Sequence, residues 1–172
     1  MKKRWISVVI LSGAVLAALC FAQAPQKSKQ PAKAPAPAPT ISTPANIQWG
    51  PAPPLLPAGA QAVVLSGDPF KPGLPFSLRL KMPSGYKIPP HHHPADEHVT
   101  VISGTFAAGM GDKFDAAAGM DLPAGAYVKM PKGMNHYAWA KTDAIVQVHG
   151  MGPFEFVYVN PSDDPRNKAG SK

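Results

Sequence analysis

The stretch that decides the fold is "GYKIPPHHHPADEHVTVISG", residues 85–104. It carries His91, His92 and His93 in a row, and Glu97 follows four residues after the last of them. In a strand, residues i and i+2 point to the same face, so His91 and His93 share a face and His92 points away. Glu97 lies at an even offset and returns to that face once the chain has turned at the intervening proline. Two imidazoles and a carboxylate then converge, which suits divalent iron, manganese, nickel, copper or zinc and not calcium.

A fourth candidate ligand lies downstream in "GAYVKMPKGMNHYAWA", residues 125–140. His136 follows a Pro-x-Gly turn and opens a predicted strand. Proline fixes φ and glycine permits a positive φ, and a tight reversal of the chain needs both. A histidine run on its own is more typical of a solvated turn, so the spacing of these residues carries the interpretation.

Together the two stretches resemble the two motifs of the cupin superfamily, in the form of a small single-domain exported cupin. The resemblance implies an all-β fold, the double-stranded β-helix or jelly-roll barrel. It also implies one divalent transition metal (Fe, Mn, Zn, Ni or Cu) inside the barrel, with His91, His93, Glu97 and His136 as ligands. Ala140 stands where the second motif usually has Asn, which is not a ligand in the family pattern. The matching positions are Gly85, His91, His93, Glu97, Gly104, Gly125, Pro131, Gly133 and His136.

Outside the motifs the sequence also favours a β domain. Short apolar or alternating segments such as "FSLRLKM" and "AIVQVHG" are separated by Gly and Pro turns, which is typical of β-sandwiches and barrels. We expect the barrel domain to span 58–161 and to be followed by a polar tail, 162–172.

The N-terminal residues predict export. A basic start, an apolar run and an Ala-x-Ala site ending at Ala24 have the layout of a secretory signal peptide, 1–24. An uncleaved membrane anchor is the weaker alternative, since the run is short for a bilayer span. Residues 25–57 are rich in Pro, Ala and Lys and are predicted to form a disordered linker. We therefore expect a periplasmic or secreted protein that meets the membrane only during export, and that loses its one cysteine, Cys20, with the signal.

The formal net charge of +7 does not indicate a nucleic-acid partner. Of the 17 Lys and Arg residues, six lie in the signal and the linker, which leaves 11 against 10 Asp and Glu. A nearly neutral domain offers no basic stripe for phosphates. The expected partner is instead a small-molecule ligand or substrate.

Three functions remain open. The first is a metal-dependent enzyme, an oxygenase or other oxidoreductase acting on a small organic molecule, because two histidines and a carboxylate resemble the ligand set of non-haem iron oxygenases. Glu97 is then a ligand and the candidate catalytic proton carrier. The second is a non-catalytic cupin that binds a metal or a small ligand, and the third is a β domain that keeps a metal only for stability.

Four further residues are predicted to line a pocket beside the metal. Ala138 and Ala140 share the face of His136 and leave room beside a metal. Gln147 and His149 join the pocket if the polar face of "AIVQVHG" looks inward, and they face solvent if it does not. A homodimer is a further expectation, because an apolar strand such as "FEFVYV" could pair across two copies.

Overall fold

The computed structural model describes residues 38–168. The chain divides at Ala38, and the second unit, Pro39–Lys172, contains every strand found in the described part. The strands are β1 Gly50–Pro51, β2 Gln61–Gly67, β3 Pro75–Met82, β4 Lys87–His92, β5 Glu97–Ser103, β6 Thr105–Met110, β7 Met120–Pro123, β8 Tyr127–Met130, β9 His136–Ala140, β10 Ala144–Met151 and β11 Val157–Tyr158. No helix within these residues is long and apolar enough to cross a membrane.

The strands form two antiparallel sheets, which confirms the predicted all-β jelly roll. One sheet has the order β1-β2-β3-β10-β5-β8, and the other has the order β11-β4-β9-β6-β7. Successive side chains of a strand point to opposite faces, so every second residue fills the space between the sheets. Along β3 the buried residues are Phe76, Leu78, Leu80 and Met82. Burying alternate apolar residues of both sheets is the main stabilising contribution in such a fold.

The barrel includes residues before position 58, which is the predicted start of the domain. β1 pairs with β2, and Leu56 is buried in the main core. Two hydrogen bonds fix this arm: Tyr158 Oη donates to the carbonyl of Leu55 (2.8 Å), and Tyr86 Oη donates to that of Pro57 (2.5 Å). The segment is Pro-rich, yet its two leucines bury apolar area, which offsets the entropy of ordering it. The predicted signal peptide and linker residues 25–37 lie outside the described residues.

The chain beyond the barrel also has structure where a polar tail is expected. A 3-10 turn at Pro161–Asp163 leads into the short helix α1, Pro165–Lys168. Arg166 Nη2 donates to the carbonyl of Phe156 at 2.9 Å, and its guanidinium pairs with Asp164. The tail is thereby attached to the segment that precedes β11.

Candidate metal centre

Three buried histidines converge from two neighbouring strands of the five-stranded sheet. His91 lies on β4 opposite His136 on β9, and His93 follows directly after β4. Each side chain offers a ring nitrogen, and these three atoms lie within 4.8 Å of one another. Each residue is only 2% exposed. A solvated turn would leave its imidazoles in water, so this arrangement is that of a built interior site.

Backbone carbonyls orient all three rings in the same way. Nδ1 of His91 lies 2.7 Å from the carbonyl of Pro89, Nδ1 of His93 lies 2.6 Å from that of Glu155, and Nδ1 of His136 lies 2.8 Å from that of Met134. A carbonyl oxygen only accepts, so each Nδ1 carries the proton and Nε2 is left with its lone pair. Histidine ligands of metals are held in this way.

One of these nitrogens has no partner within the protein. Nε2 of His93 is buried and makes no hydrogen bond. Leaving a buried polar atom unsatisfied costs about 1–3 kcal/mol, and a metal ion in contact with the lone pair would remove that cost. The described residues therefore fit a bound divalent metal by the chemistry and the direction of their donor atoms.

Glu97 opens β5 and brings a carboxylate to the edge of the histidine cluster. Its Oε2 lies 3.5 Å from Nε2 of His93 and 3.4 Å from Nε2 of His136, and the residue is 8% exposed. Burial alone would raise the pKa of Glu97, but donation and positive charge from protonated His93 and His136 outweigh it and hold that pKa well below its ordinary value. A cation bound at the Nε2 atoms, in place of the protons there, would favour the ionised carboxylate in the same way. An ionised Glu97 is therefore available as a fourth, anionic ligand on the side of those two histidines.

The interior keeps His91 neutral. Burial lowers its pKa well below the usual value, and the nearby His136 and His93 imidazoles lower it further. A neutral imidazole is the form that binds a metal, since a proton on Nε2 would occupy the lone pair.

Turns with positive φ set the positions of the ligands, as the motif spacing predicts. Gly133 has φ 73°, and its N–H donates to the carbonyl of His93, which ties the second-motif turn to the first motif. Gly104 has φ 77°, and a Cβ there would lie 2.1 Å from the carbonyl oxygen of Asp143. Glycine is required at both turns for its backbone freedom, and at Gly104 also for the close approach of the neighbouring chain.

The segment before β11 forms a wall of the site that sequence analysis missed. Phe154 stacks on His93 with ring centroids 4.6 Å apart, and Phe156 stacks on His91 at 4.5 Å. Between them, Glu155 supplies the carbonyl that binds His93. The aromatic i, i+2 spacing of "FEF" was the available signal for the two rings. A backbone acceptor leaves no trace in the side-chain pattern.

A small cavity of about 20 Å³ lies beside the cluster in the barrel interior. His91, Glu97 and His136 contribute its polar groups, and Ala138 lies on its wall among aliphatic and aromatic side chains. Ala140 is fully buried in the core but does not line this cavity. The cavity has room for about one water-sized group.

The structure places Gln147 and His149 outside this pocket. They lie on the outer face of β10, where Gln147 Oε1 accepts from Arg79 Nε (3.2 Å) and His149 stacks on His98. Val146 and Val148 fill the inner face instead. Of the two orientations that the sequence leaves open, the one that buries the valines is observed, because it removes more apolar area from water.

Comparison with known proteins agrees with this architecture. A family described as "Domain of unknown function (DUF4437)" matches residues 41–168. A putative acetylacetone dioxygenase from Methylibium petroleiphilum PM1 is 18% identical with TM-score 0.56, covering 76% of this chain and 88% of its own. An RmlC-like cupin from Shewanella frigidimarina is 16% identical with TM-score 0.51, covering 66% and 91%. KdgF from Halomonas sp. is 17% identical with TM-score 0.50, covering 67% and 96%. At these identities the likeness establishes the fold. No curated protein sequence matches.

Proposed function

The chain belongs to the DUF4437 family, a cupin-like family, and from this premise we propose that it is a metal-dependent enzyme of the oxygenase type. Its substrate would be a small organic molecule. The observation that carries the proposal is the set of three buried imidazoles whose Nδ1 atoms are tied to carbonyls and whose Nε2 atoms converge beside an apolar cavity. A sealed structural site would have no need of a cavity beside its ligands.

Each polar residue has a defined part in this proposal. His91, His93 and His136 would hold one divalent transition metal, and Glu97 would be the fourth ligand. When bound, such a metal polarises or activates oxygen atoms through its open coordination positions. Within the described residues, Glu97 is the one carboxylate on the cavity wall, so it is the group placed to accept a proton from a bound substrate.

The apolar wall restricts what the site accepts. Substrate atoms that do not contact the metal would meet only aliphatic and aromatic side chains, which favours a neutral molecule with few polar groups. Phe156 lies on this wall, so the segment before β11 would have to move to admit anything larger than a few atoms.

One observation favours the second candidate function, a non-catalytic cupin that binds a metal or a small ligand. A cavity of about 20 Å³ admits a water-sized ligand but not an organic substrate without rearrangement. A protein that only holds a metal needs no larger space.

Elemental analysis of protein purified without a His tag separates these functions. We expect close to one equivalent of a divalent transition metal. If the protein is the enzyme, this metal should be iron or manganese, and the protein should consume oxygen when small neutral metal-chelating molecules are added. One equivalent of metal without any turnover would support the binding protein. Protein that contains no metal and takes up none on titration would refute the enzyme and the metal-binding cupin, and would leave only a cupin that binds a small ligand without metal.

We also propose that the protein acts in the periplasm or outside the cell, as a homodimer. The basic start, the apolar run and the Ala-x-Ala site support export, and the place of β11 at the end of its sheet, among the described strands, supports pairing of two copies. Intact mass of the protein from its native compartment should place the first residue at Pro25. Sedimentation should give twice the mass of the cleaved chain. A full-length mass would reject export with cleavage at Ala24, and a monomer would reject the homodimer.

A further inference from the structure

A second, wholly apolar cavity lies between the N-terminal arm and strands β2 and β3. Its volume is about 50 Å³, more than twice that of the cavity at the metal centre. Leu55 and Leu56 of the arm form one side, and Ala62 of β2 with Leu78 of β3 forms the other. Every residue that lines it is Pro, Leu, Ala, Val or Phe. This space plays no part in holding the metal.

The arm closes this cavity as a fixed wall. The hydroxyls of Tyr158 and Tyr86 hold the carbonyls of Leu55 and Pro57, and the amide of Leu56 donates to the carbonyl of Pro53 at 3.0 Å. Towards solvent, the cavity is bordered by Val64 and Phe70, whose side chains are 49% and 50% exposed. These two residues form the solvent-exposed part of the lining, so this is the side from which a small molecule would enter.

The chemistry of the wall selects the guest. A buried water needs two to four polar partners, and no lining side chain offers one, so water gains little by entering. Dry apolar cavities of about 150 Å³ bind benzene or xenon. At about 50 Å³ this cavity has space for a few heavy atoms and not for an aromatic ring. Small neutral gases suit this cavity because they need no polar partner and are small enough for its volume.

The cavity is also adjacent to the metal centre. Leu80 lines both spaces, so one leucine side chain separates them. Phe154, which stacks on His93, lines the apolar cavity as well. Leu80 is buried, so passage between the two spaces would require this side chain to change its rotamer.

We propose that this cavity is a binding site for a small apolar molecule of about the size of dioxygen, one leucine side chain away from the metal centre. Its role as a store of dioxygen for the reaction rests on the proposed oxygenase function. Its capacity to bind the gas does not, because no metal ligand lines it.

Xenon is the probe for this site, measured by methyl NMR on metal-free full-length protein under increasing gas pressure. We expect saturable shifts of the methyl groups of Leu55, Leu78 and Leu80. Ala62→Leu, which fills the cavity from β2, should abolish them, and Val64→Phe provides a second filling variant if the first is unstable. Val63→Leu is the matched control, since Val63 is the next residue on β2 and lines neither cavity.

Two results would overturn the proposal. One is the absence of saturable shifts at these methyl groups. The other is a response that persists in both filling variants, which would show that xenon binds elsewhere. Because the protein is metal-free, a failure of the oxygenase proposal leaves the xenon result unchanged. Loss of the xenon response in protein that binds its metal normally would reject the gas site alone.

Discussion

Arg166 lies outside the metal centre, and we predict that replacing it with Ala weakens metal binding. Its Nη2 donates to the carbonyl of Phe156, and its guanidinium is held by Asp164 through contacts of 2.6 to 3.1 Å. Phe156 stacks on His91, and the preceding residue, Glu155, supplies the carbonyl that orients His93. Arg166 therefore contacts the segment that forms one wall of the site.

The size of the effect follows from the exposure of the contact. A hydrogen bond from a charged donor contributes about 1.5–3 kcal/mol when it is buried. The Arg166 side chain is 46% exposed, so we reduce this to about 1 kcal/mol. If the metal binds only with the wall in place, the whole loss appears in binding. About 1 kcal/mol then corresponds to roughly fivefold weaker affinity.

The assay is competition for Zn²⁺ or Co²⁺ against a chromophoric chelator. Lys141→Ala is the control, because Lys141 pairs with Asp121 on the surface with a side chain that is 45% exposed, and it contacts no wall residue. Arg166→Lys keeps the charge but loses the planar guanidinium, so its affinity should lie between those of the native protein and Arg166→Ala. Native affinity in Arg166→Ala, or an equal loss in Lys141→Ala, would refute the reasoning.

Three further predictions concern residues in and around the pocket. His136→Ala should weaken metal binding by at least about 100-fold, because removing a ligand should cost at least as much as the largest loss seen when a group that supports a ligand is mutated. Isothermal titration that shows full stoichiometry and affinity would reject the proposed ligand set. Gln147→Ala and His149→Ala should leave metal affinity unchanged in the same titration, because both side chains lie on the outer face of β10, and a clear loss would mean that they reach the site. Ala140→Asn should lower the free energy of unfolding by about 2–4 kcal/mol, because the position is fully buried and the amide would overpack the core without hydrogen-bond partners. Urea unfolding measures this change, and an unchanged midpoint of the unfolding curve would contradict the prediction.

The part of the site that sequence predicts well depends on short-range geometry. His91 and His93 are two residues apart in an extended chain, so they must share a face. The turn before His136 is set by proline and glycine, whose backbone preferences are local. These rules give the direction of each side chain. The motif resemblance then implies that His136 joins the same site, and the structure shows the long-range pairing of β4 with β9 that brings it there.

Other parts depend on choices that a single strand does not record. Alternation divides "AIVQVHG" into a valine face and a polar face, and only the packing of two sheets decides which face is inside. Residues 50–57 have a composition typical of linkers, yet Leu56 becomes core because it lies against apolar side chains of β2 and β3. The carbonyl of Glu155 binds His93 through the backbone, so any residue could stand there. Each of these features is set by tertiary contacts.

The geometry of the histidines also bears on whether the site is a working metal centre or a group of buried polar side chains that serves only the fold. A cluster that served only the fold would pair its polar atoms with one another, because an unpaired buried nitrogen costs about 1–3 kcal/mol. In this cluster only one nitrogen of each ring has a protein partner. Each Nδ1 is hydrogen-bonded to a carbonyl, while Nε2 of His93 has no partner and the carboxylate of Glu97 faces the Nε2 atoms of His93 and His136. Phe154 and Phe156 hold two of the rings in that orientation, so the rings cannot turn to relieve it. A cation placed among the Nε2 atoms and Glu97 satisfies every group at once, and its binding energy would then add directly to the stability of the barrel.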